Sequence, residues 1–213
     1  MRTKAIIVTR QGAGRQSVSE KKDWCTPHKY VEAVRKVFNG TIELDPCSNF
    51  HSIVKAQIEY CAPDVDGLSA SWCYQTIYVN PPYGNDKENG TRIKDWLAKC
   101  AHANEAYHAE VIALVPVATN TSHWKQYVFT RARAICFLYD TRLKFLEDGK
   151  DGGKGAPMSC AMIYWGDNYQ TFHDVFIQYG AVIDISSLIG KRIGGEHIAK
   201  RIAWDNRVLR LEI

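Results

Sequence analysis

The sequence lacks the long apolar segments of membrane-spanning and secreted proteins. Its longest apolar stretches, such as residues 111–118, are far shorter than the roughly 20 residues needed to span a bilayer. The N-terminal residues contain no apolar signal core. The seven cysteines are odd in number and include no Cys-x-x-Cys pair, so they do not form the regular disulfide framework of a small secreted domain. We therefore expect a soluble, cytoplasmic protein with reduced thiols.

A recognisable metal site is also missing, and we predict no metal. Cys61, Cys73 and the nearby His51 could in principle hold zinc, but their separations match no common pattern of zinc ligands. Such cysteines are more often buried thiols, or thiols without a function, than metal ligands.

Strong net charge of either sign is absent as well. The formal net charge of +4 does not by itself identify a nucleic-acid-binding protein. Basic residues are concentrated at the two ends, so we predict a flexible basic arm at residues 1–22, a central domain at residues 23–188 and a basic extension at residues 189–213. These ends could contact a phosphate backbone without reading sequence, or they could be a solvated tail and a solvated helix face.

The composition that is present, 46% hydrophobic and 23% charged residues, is that of an ordinary folded domain. Helical spacing of apolar residues predicts helices at residues 27–38, 93–104, 122–130 and 169–179, the first with Thr26 as N-cap and Pro27 in its first turn. Short apolar runs predict strands at residues 5–8, 41–44, 57–61, 76–79, 111–115, 134–139, 158–165 and 182–185. This alternation indicates an α/β fold with a mostly parallel sheet and helices on both faces, in which ligands bind beyond the carboxyl ends of the strands.

The turn after the strand at residues 76–79 has an unusual composition, Asn80-Pro81-Pro82-Tyr83. Each proline fixes its own backbone and holds the preceding residue extended, so the turn is stiff. Its carbonyls and the Asn80 side-chain oxygen can together accept the two hydrogens of one planar amino group, and Tyr83 can stack on the flat ring beside it. The alternative is that the prolines only close a loop and Tyr83 packs in the core. We interpret the complete four-residue string as a site for alkylation of an amino nitrogen on a flat π-system.

At this point the sequence resembles the amino-group methyltransferases that use S-adenosylmethionine, whose hallmark is [D/N/S]-P-P-[Y/F/W]. The wider layout is similar to the phage-type DNA N6-adenine methyltransferases of the Dam family. The matching segments, in order, are "DWCTPHKYVEAV", "ELDPCSN", "DGLSASW", "YVNPPYG", "ALVPVATNTSHW" and "TRLKF". The resemblance implies a Rossmann-like methyltransferase fold, with Asn80, Pro81, Pro82 and Tyr83 as the catalytic residues.

The same resemblance implies an S-adenosylmethionine site on three other segments. Thr26 and Pro27 match the segment that holds the methionine end of the cofactor. Asp45-Pro46-Cys47 matches the first cofactor motif, in which Asp45 would bind the positively charged amino group of the cofactor. Asp66 matches the acidic residue that accepts a hydrogen bond from the cofactor's adenine, although an Asp before Gly is also a common turn residue.

The chain departs from the family pattern around that first motif. The usual Gly-x-Gly is absent, and Ser48-Asn49 follows instead, which changes how closely the backbone approaches the cofactor. Glu59, near the end of a weak strand, could hold the ribose hydroxyls. The stretch between Asp45 and Asn80 is short for two complete strand-helix units, so we expect this part of the sheet to be abbreviated.

The later segments imply contacts with the substrate. Arg142 would meet phosphate, Phe145 would stack on the target base or belong to the core, and Lys150 and Lys154 lie on a glycine-rich loop near the DNA. The implied activity is methylation of adenine N6 in double-stranded DNA after base flipping, in the cytoplasm of the host cell if the protein is phage-encoded. Methylation of adenine in RNA or of a protein glutamine uses the same chemistry and stays open, as does a catalytically silent DNA-binding module.

Overall fold

The computed structural model describes residues 24–83, 85–86, 91–140, 142–147, 149–151 and 158–193. The predicted strand at residues 5–8, the basic arm, Lys154 and most of the C-terminal extension lie outside the described residues. The helices of the described part are α1 (His28–Val37), α2 (Ile93–Tyr107), α3 (Tyr169–Phe176), a π-helix (Trp124–Val128) and a short 3-10 helix (Ser186–Leu188). None of the described helices is long and apolar enough to span a bilayer.

The strands form one large sheet and two small ones. In chain order they are β1 (Trp24–Cys25), β2 (Leu44–Ser48), β3 (Ile58–Cys61), β4 (Thr76–Val79), β5 (Asn85–Asp86), β6 (Thr91–Arg92), β7 (Glu110–Pro116), β8 (Ala134–Leu138), β9 (Leu146–Glu147), β10 (Lys150–Asp151), β11 (Cys160–Trp165) and β12 (Gly180–Asp184). The large sheet has the order β12-β8-β11-β7-β4-β2-β3, the order of the second is β1-β9-β10, and β5 pairs with β6.

The large sheet is parallel in one half and antiparallel in the other. Parallel pairing joins β3, β2, β4 and β7. β11 is antiparallel to both β7 and β8, and β12 is antiparallel to β8. The prediction of a mostly parallel sheet therefore holds only for the half that contains the predicted site. Apolar periodicity assigns residues to faces, but it contains no information on strand direction.

Helices cover both faces of this sheet, as the alternating pattern predicted. Within β7, Val111, Ala113 and Val115 belong to the apolar cluster that includes α2 and the π-helix. Ile112 and Leu114 belong to the opposite cluster, with α1 and α3. Successive residues of a strand point to opposite faces, so a nearly continuous apolar run is buried on both sides.

Most predicted elements are present, and two local predictions were wrong. The predicted strand at residues 41–44 is observed instead as β2, which runs through Asp45-Pro46 to Ser48. Its pairing with β3 shifts between Asp45 and Ser48, and at such an irregularity a proline without an N–H is tolerated. Thr26 is not the N-cap of α1. The N-cap is Pro27, whose side chain has no hydrogen-bonding group. The Thr26 hydroxyl is hydrogen-bonded to that of Tyr78 instead.

The part of the chain between the two predicted motifs is abbreviated. From residue 49 to residue 75, which the structure describes without a gap, there is one strand, β3, and no helix. As a result β2 and β4 are direct neighbours in the sheet, with Leu44 paired to Ile77. The segments that follow these paired residues therefore emerge side by side at one edge.

Candidate active site

The turn after β4 is fixed by a hydrogen bond from its first side chain. The half-buried Asn80 donates from Nδ2 to the main-chain carbonyl of Trp24, with an N–O distance of 3.0 Å. A carbonyl can only accept, so this contact assigns the amide nitrogen to the Trp24 side and the oxygen, Oδ1, to the other side. Pro81 is buried and Pro82 is exposed. The turn therefore holds an acceptor in a defined direction.

Tyr83 is held at its hydroxyl and along its ring. The hydroxyl donates to the carbonyl of Leu114 in β7 at 3.1 Å. The ring meets Phe145 edge to face, with centroids 5.8 Å apart. Burial raises the pKa of Tyr83 well above its ordinary value, so the hydroxyl stays a donor at neutral pH.

Phe145 belongs to the packing behind the turn. Only 3% of it is exposed, and its ring stacks on that of Trp24 with centroids 5.3 Å apart and an interplanar angle of 16°. Of the two interpretations of Phe145 from sequence, the structure therefore favours the core residue over a surface that stacks on a base.

Thr26 and Pro27 lie next to the same turn. The buried Thr26 hydroxyl is 2.6 Å from the hydroxyl of Tyr78, which precedes Asn80 by two residues in β4. Pro27 is half-buried and starts α1. The Thr-Pro segment is thus joined to the strand that carries the turn.

The neighbouring strand β2 places a carboxyl group in the protein interior. Asp45 is 3% exposed, and one of its oxygens accepts a hydrogen bond from the N–H of Cys47 at 3.1 Å. Burial raises the pKa of Asp45 to about 7; the Cys47 N–H opposes this shift, and the charge of Glu59 adds to it. A carboxylate that is desolvated without a cation favours a positively charged partner at this position.

Ser48 is a candidate residue that the sequence did not identify as part of a site. Its Oγ is buried and has no hydrogen-bond partner among the residues that the structure describes. A buried hydroxyl without a partner is unfavourable, and it is available to a ligand. From the sequence, Ser48 was only the residue that replaced an expected glycine.

The Asp66-Gly67-Leu68 segment packs directly against the first motif. A Cβ added to Gly67 would lie 1.7 Å from the carbonyl oxygen of Pro46, so glycine is required by close approach. The Gly67 carbonyl accepts a hydrogen bond from the indole of Trp72 at 2.8 Å. The exposed Asp66 accepts from the Leu68 N–H at 3.0 Å and from the Ser69 hydroxyl, which is the bonding of a turn residue.

The remaining predicted residues that the structure describes are exposed at the surface. Arg142 and Lys150 are exposed, the latter in β10. Glu59 pairs with Asp45 in the β2–β3 ladder and accepts from the Ala56 N–H at 3.3 Å. All seven cysteines are free thiols, and within the described ranges no group of three His, Cys, Asp or Glu residues is placed to hold a metal ion.

Comparison with known proteins relates this arrangement to one family. The profile of the family described as DNA N-6-adenine-methyltransferase (Dam) matches residues 14–187. The chain is also 22% identical over 130 residues to the "DNA N-6-adenine-methyltransferase" of Haemophilus phage HP1 (strain HP1c1), an alignment that covers 61% of this chain and 69% of that protein. No solved structure matches the chain. Since the family match covers most of the sequence, including every segment from Trp24 to Phe145 that forms the site, the chain belongs to the Dam family of DNA N-6-adenine-methyltransferases.

Proposed function

We propose that the protein transfers a methyl group from S-adenosylmethionine to N6 of an adenine in double-stranded DNA, at the edge where β2 and β4 end. The observation that carries this proposal is the pairing of Leu44 with Ile77, which sets the Asp45-Pro46-Cys47-Ser48 segment beside the Asn80-Pro81-Pro82-Tyr83 turn. A cofactor site and an amino-group site must be adjacent for direct transfer, because the reacting atoms must come within about 3–3.5 Å of each other.

The residues beside the turn fit S-adenosylmethionine. The buried carboxyl of Asp45 suits the cofactor's ammonium group, and the unpartnered hydroxyl of Ser48 can bond one of its polar groups. The contact of Gly67 with Pro46 brings the Asp66 turn next to the same motif. Thr26, Pro27, Asp45, Pro46, Cys47 and Asp66 would hold the cofactor, which supplies a methyl group activated by a positively charged sulfur.

The turn binds and activates the amino group. The Asn80 Oδ1 and the Pro81 carbonyl accept the two N6 hydrogens and favour a pyramidal nitrogen, whose lone pair is thereby directed at the methyl group that the bound cofactor would supply. The proton that N6 gives up on methylation would pass to water. Tyr83 supplies a flat wall for the adenine ring, while Phe145 supports Tyr83 from the interior.

The adenine must leave the duplex to reach this turn. Extrusion of a base costs a few kcal/mol of stacking and pairing, and protein contacts with the flipped nucleotide offset that cost. The exposed Arg142 and Lys150 are suited to phosphate contacts, and Lys154 stays a prediction outside the described residues.

The proposal is tested with labelled S-adenosylmethionine and unmethylated duplex DNA, followed by digestion to nucleosides. The expected product is N6-methyladenine in DNA, and Asn80→Ala is expected to lower its rate at least about 100-fold while cofactor binding, measured by calorimetry, is kept. RNA and total protein serve as alternative acceptors. If label appeared only in RNA adenine or in protein glutamine, the substrate would be RNA or protein instead of DNA. If the cofactor did not bind, the protein would be a catalytically silent module. If the Asn80→Ala variant were as fast as wild type, this turn would not be the active site.

A further inference from the structure

The residue that orients Asn80 lies outside the four-residue motif. Trp24 is 56 residues earlier in the chain, and its main-chain carbonyl is the acceptor of the Asn80 amide. It is also outside the set of residues that the sequence nominated for the site. The contact decides which end of the amide faces the substrate, and that makes Trp24 part of the reaction geometry.

The two orientations of an asparagine amide are not equivalent here. With Nδ2 toward Trp24, a hydrogen bond forms and Oδ1 is presented on the opposite side. With the amide reversed, two oxygens would face each other and the NH2 group would be presented to the substrate. An NH2 group only donates, so it would oppose the N6 hydrogens instead of accepting them.

The position of Trp24 is itself fixed by several contacts. Trp24 pairs with Glu147 in the ladder between β1 and β9, and its ring stacks on Phe145. Phe145 in turn meets Tyr83 edge to face. The same aromatic ring therefore supports both the carbonyl that orients Asn80 and the tyrosine that ends the turn.

The next two residues extend this arrangement along the edge of the sheet. The Cys25 thiol contacts Asn49 Oδ1 at 3.5 Å and the His51 carbonyl at 3.4 Å, in the loop after β2. Thr26 contacts Tyr78 in β4. Residues 24–26, which we call the strap, therefore connect the ends of both strands that carry the site.

We propose that Trp24 is a positioning residue for methyl transfer: its carbonyl holds the Asn80 amide with Oδ1 toward the target amino group, and the Trp24–Phe145 stack keeps that carbonyl in place. The inference rests on the proposed role of Asn80 and adds the group through which that role is set. Trp24 contacts neither substrate nor cofactor in this scheme, and its effect is transmitted entirely by Asn80.

The first test is the pH profile of Asn80→Asp. The family hallmark accepts Asp at this position, but here a carboxylate would face the Trp24 carbonyl with no proton to share. We expect the variant to be at least about 100-fold slower than wild type at pH 8. The ratio of variant to wild-type rate, at saturating DNA and cofactor, is expected to rise about tenfold for each pH unit lowered, because only the protonated carboxyl can donate to Trp24. A ratio near one at pH 8, or one independent of pH, overturns the proposal.

The second test measures coupling between Trp24 and Asn80. In the wild-type background, Trp24→Leu is expected to lower the single-turnover rate about tenfold, with the DNA KM and the cofactor Kd unchanged, and Trp24→Phe to restore most of the rate. In the Asn80→Ala background, Trp24→Leu is expected to have almost no effect, because the side chain through which it acts is gone. Tyr107→Leu, at the far end of α2, is the matched control for loss of an aromatic ring.

The outcomes separate the two proposals. Asn80→Ala at the wild-type rate would contradict the proposed function itself. A slow Asn80→Ala variant with an additive Trp24→Leu effect would leave the function standing and overturn the role of Trp24. Thermal melting of each variant shows whether it is folded. If Trp24→Leu does not fold, the Trp24→Phe variant is used for the test in its place.

Discussion

The two halves of the site differ in how completely their polar groups are satisfied. On the turn, the Asn80 amide and the Tyr83 hydroxyl each have a main-chain carbonyl as partner. On β2, Asp45 is buried and the Ser48 hydroxyl is enclosed, and within the described part of the chain neither a cation for the first nor a hydrogen-bond partner for the second is found. The proposed acceptor side is thus organised before any ligand arrives, whereas the proposed cofactor side has unfavourable groups that a ligand can satisfy. We expect ligand binding to stabilise the second half much more than the first.

The largest effect is expected for Gly67→Ala, which adds a methyl group where the two proposed cofactor segments meet. The new Cβ would overlap the Pro46 carbonyl oxygen, so the backbone must move. We expect cofactor affinity to fall at least about 100-fold and the free energy of unfolding to fall by about 3 kcal/mol. Calorimetry and denaturant unfolding measure the two.

Gly40→Ala is the control for this substitution. Gly40 has a φ of +100°, and no atom of the described residues lies within 4 Å of an added Cβ, so alanine strains the backbone there without touching the site. We expect some loss of stability with unchanged cofactor affinity. Equal cofactor affinity in the Gly67→Ala variant and wild type would contradict the close approach as a requirement for binding.

The next effect is the pH dependence of stability that Asp45 produces. Its pKa is raised to about 7 in the folded state, so the unfolded chain loses this proton first. Stability of the cofactor-free protein is therefore expected to fall by about 3 kcal/mol between pH 4 and pH 7 from this group, and to level off near pH 8. A cationic ligand favours the ionised carboxyl, so the increase in Tm on adding S-adenosylmethionine should be larger at pH 8 than at pH 6.

Asp45→Asn tests the origin of that dependence. In this variant, the decrease in stability between pH 4 and pH 7 that Asp45 causes is expected to be absent. The variant is also expected to be more stable than wild type at pH 8 without cofactor, and to bind cofactor much more weakly. A variant with an unchanged pH profile in thermal melting would assign the effect to another group.

A smaller effect is expected for Ser48→Ala. Removal of a hydroxyl that has no partner should leave the stability of the cofactor-free protein unchanged or slightly higher, while cofactor affinity falls by about 1 kcal/mol, or roughly fivefold. Ser52→Ala is expected to lower stability and to leave cofactor affinity unchanged, since Ser52 Oγ accepts a hydrogen bond from the Val54 N–H. Calorimetry combined with melting distinguishes them, and loss of stability without loss of affinity in Ser48→Ala would count against a ligand role.

The smallest effect on cofactor binding is expected for Tyr83→Phe. The change removes the hydrogen bond to the Leu114 carbonyl and keeps the ring against Phe145, so we expect about 1 kcal/mol of lost stability and a rate lowered severalfold. Cofactor affinity should be unchanged, as measured by calorimetry. A large loss of affinity would show that the two halves of the site are not separable in this way.

Local sequence pattern was sufficient for the strand that carries the Asn80–Tyr83 turn, though not for β2. The strand at residues 76–79 and the start of the helix at residue 93 are where the apolar pattern predicted them. The expectation of an abbreviated region between Asp45 and Asn80 also agrees with the single strand found there. These features depend on residues close together in the chain, which is the information that periodicity and turn composition contain.

The local sequence pattern could not predict contacts between residues that are distant in the chain. Nothing in the neighbourhood of Trp24 indicated that its carbonyl meets Asn80, and Ser48 was noted only as a departure from glycine. The direction of β11 and the passage of β2 through Pro46 were missed for the same reason, because both depend on the neighbouring strand rather than on the strand's own residues.

The strap also has a consequence for the order of folding. The hydrogen-bond partners of residues 24–26 are 24 to 56 residues away in sequence, and their ladder and stacking partners at Phe145, Leu146 and Glu147 are more distant still. Closing loops of that length is entropically unfavourable until the sheet has formed, so we expect the strap to join the fold late and to open before the sheet does. Hydrogen exchange at residues 24–26 should then be faster than in β7. A population of molecules that keeps nearly all of its secondary structure would lack an oriented Asn80, so activity would be lost on heating before the sheet unfolds.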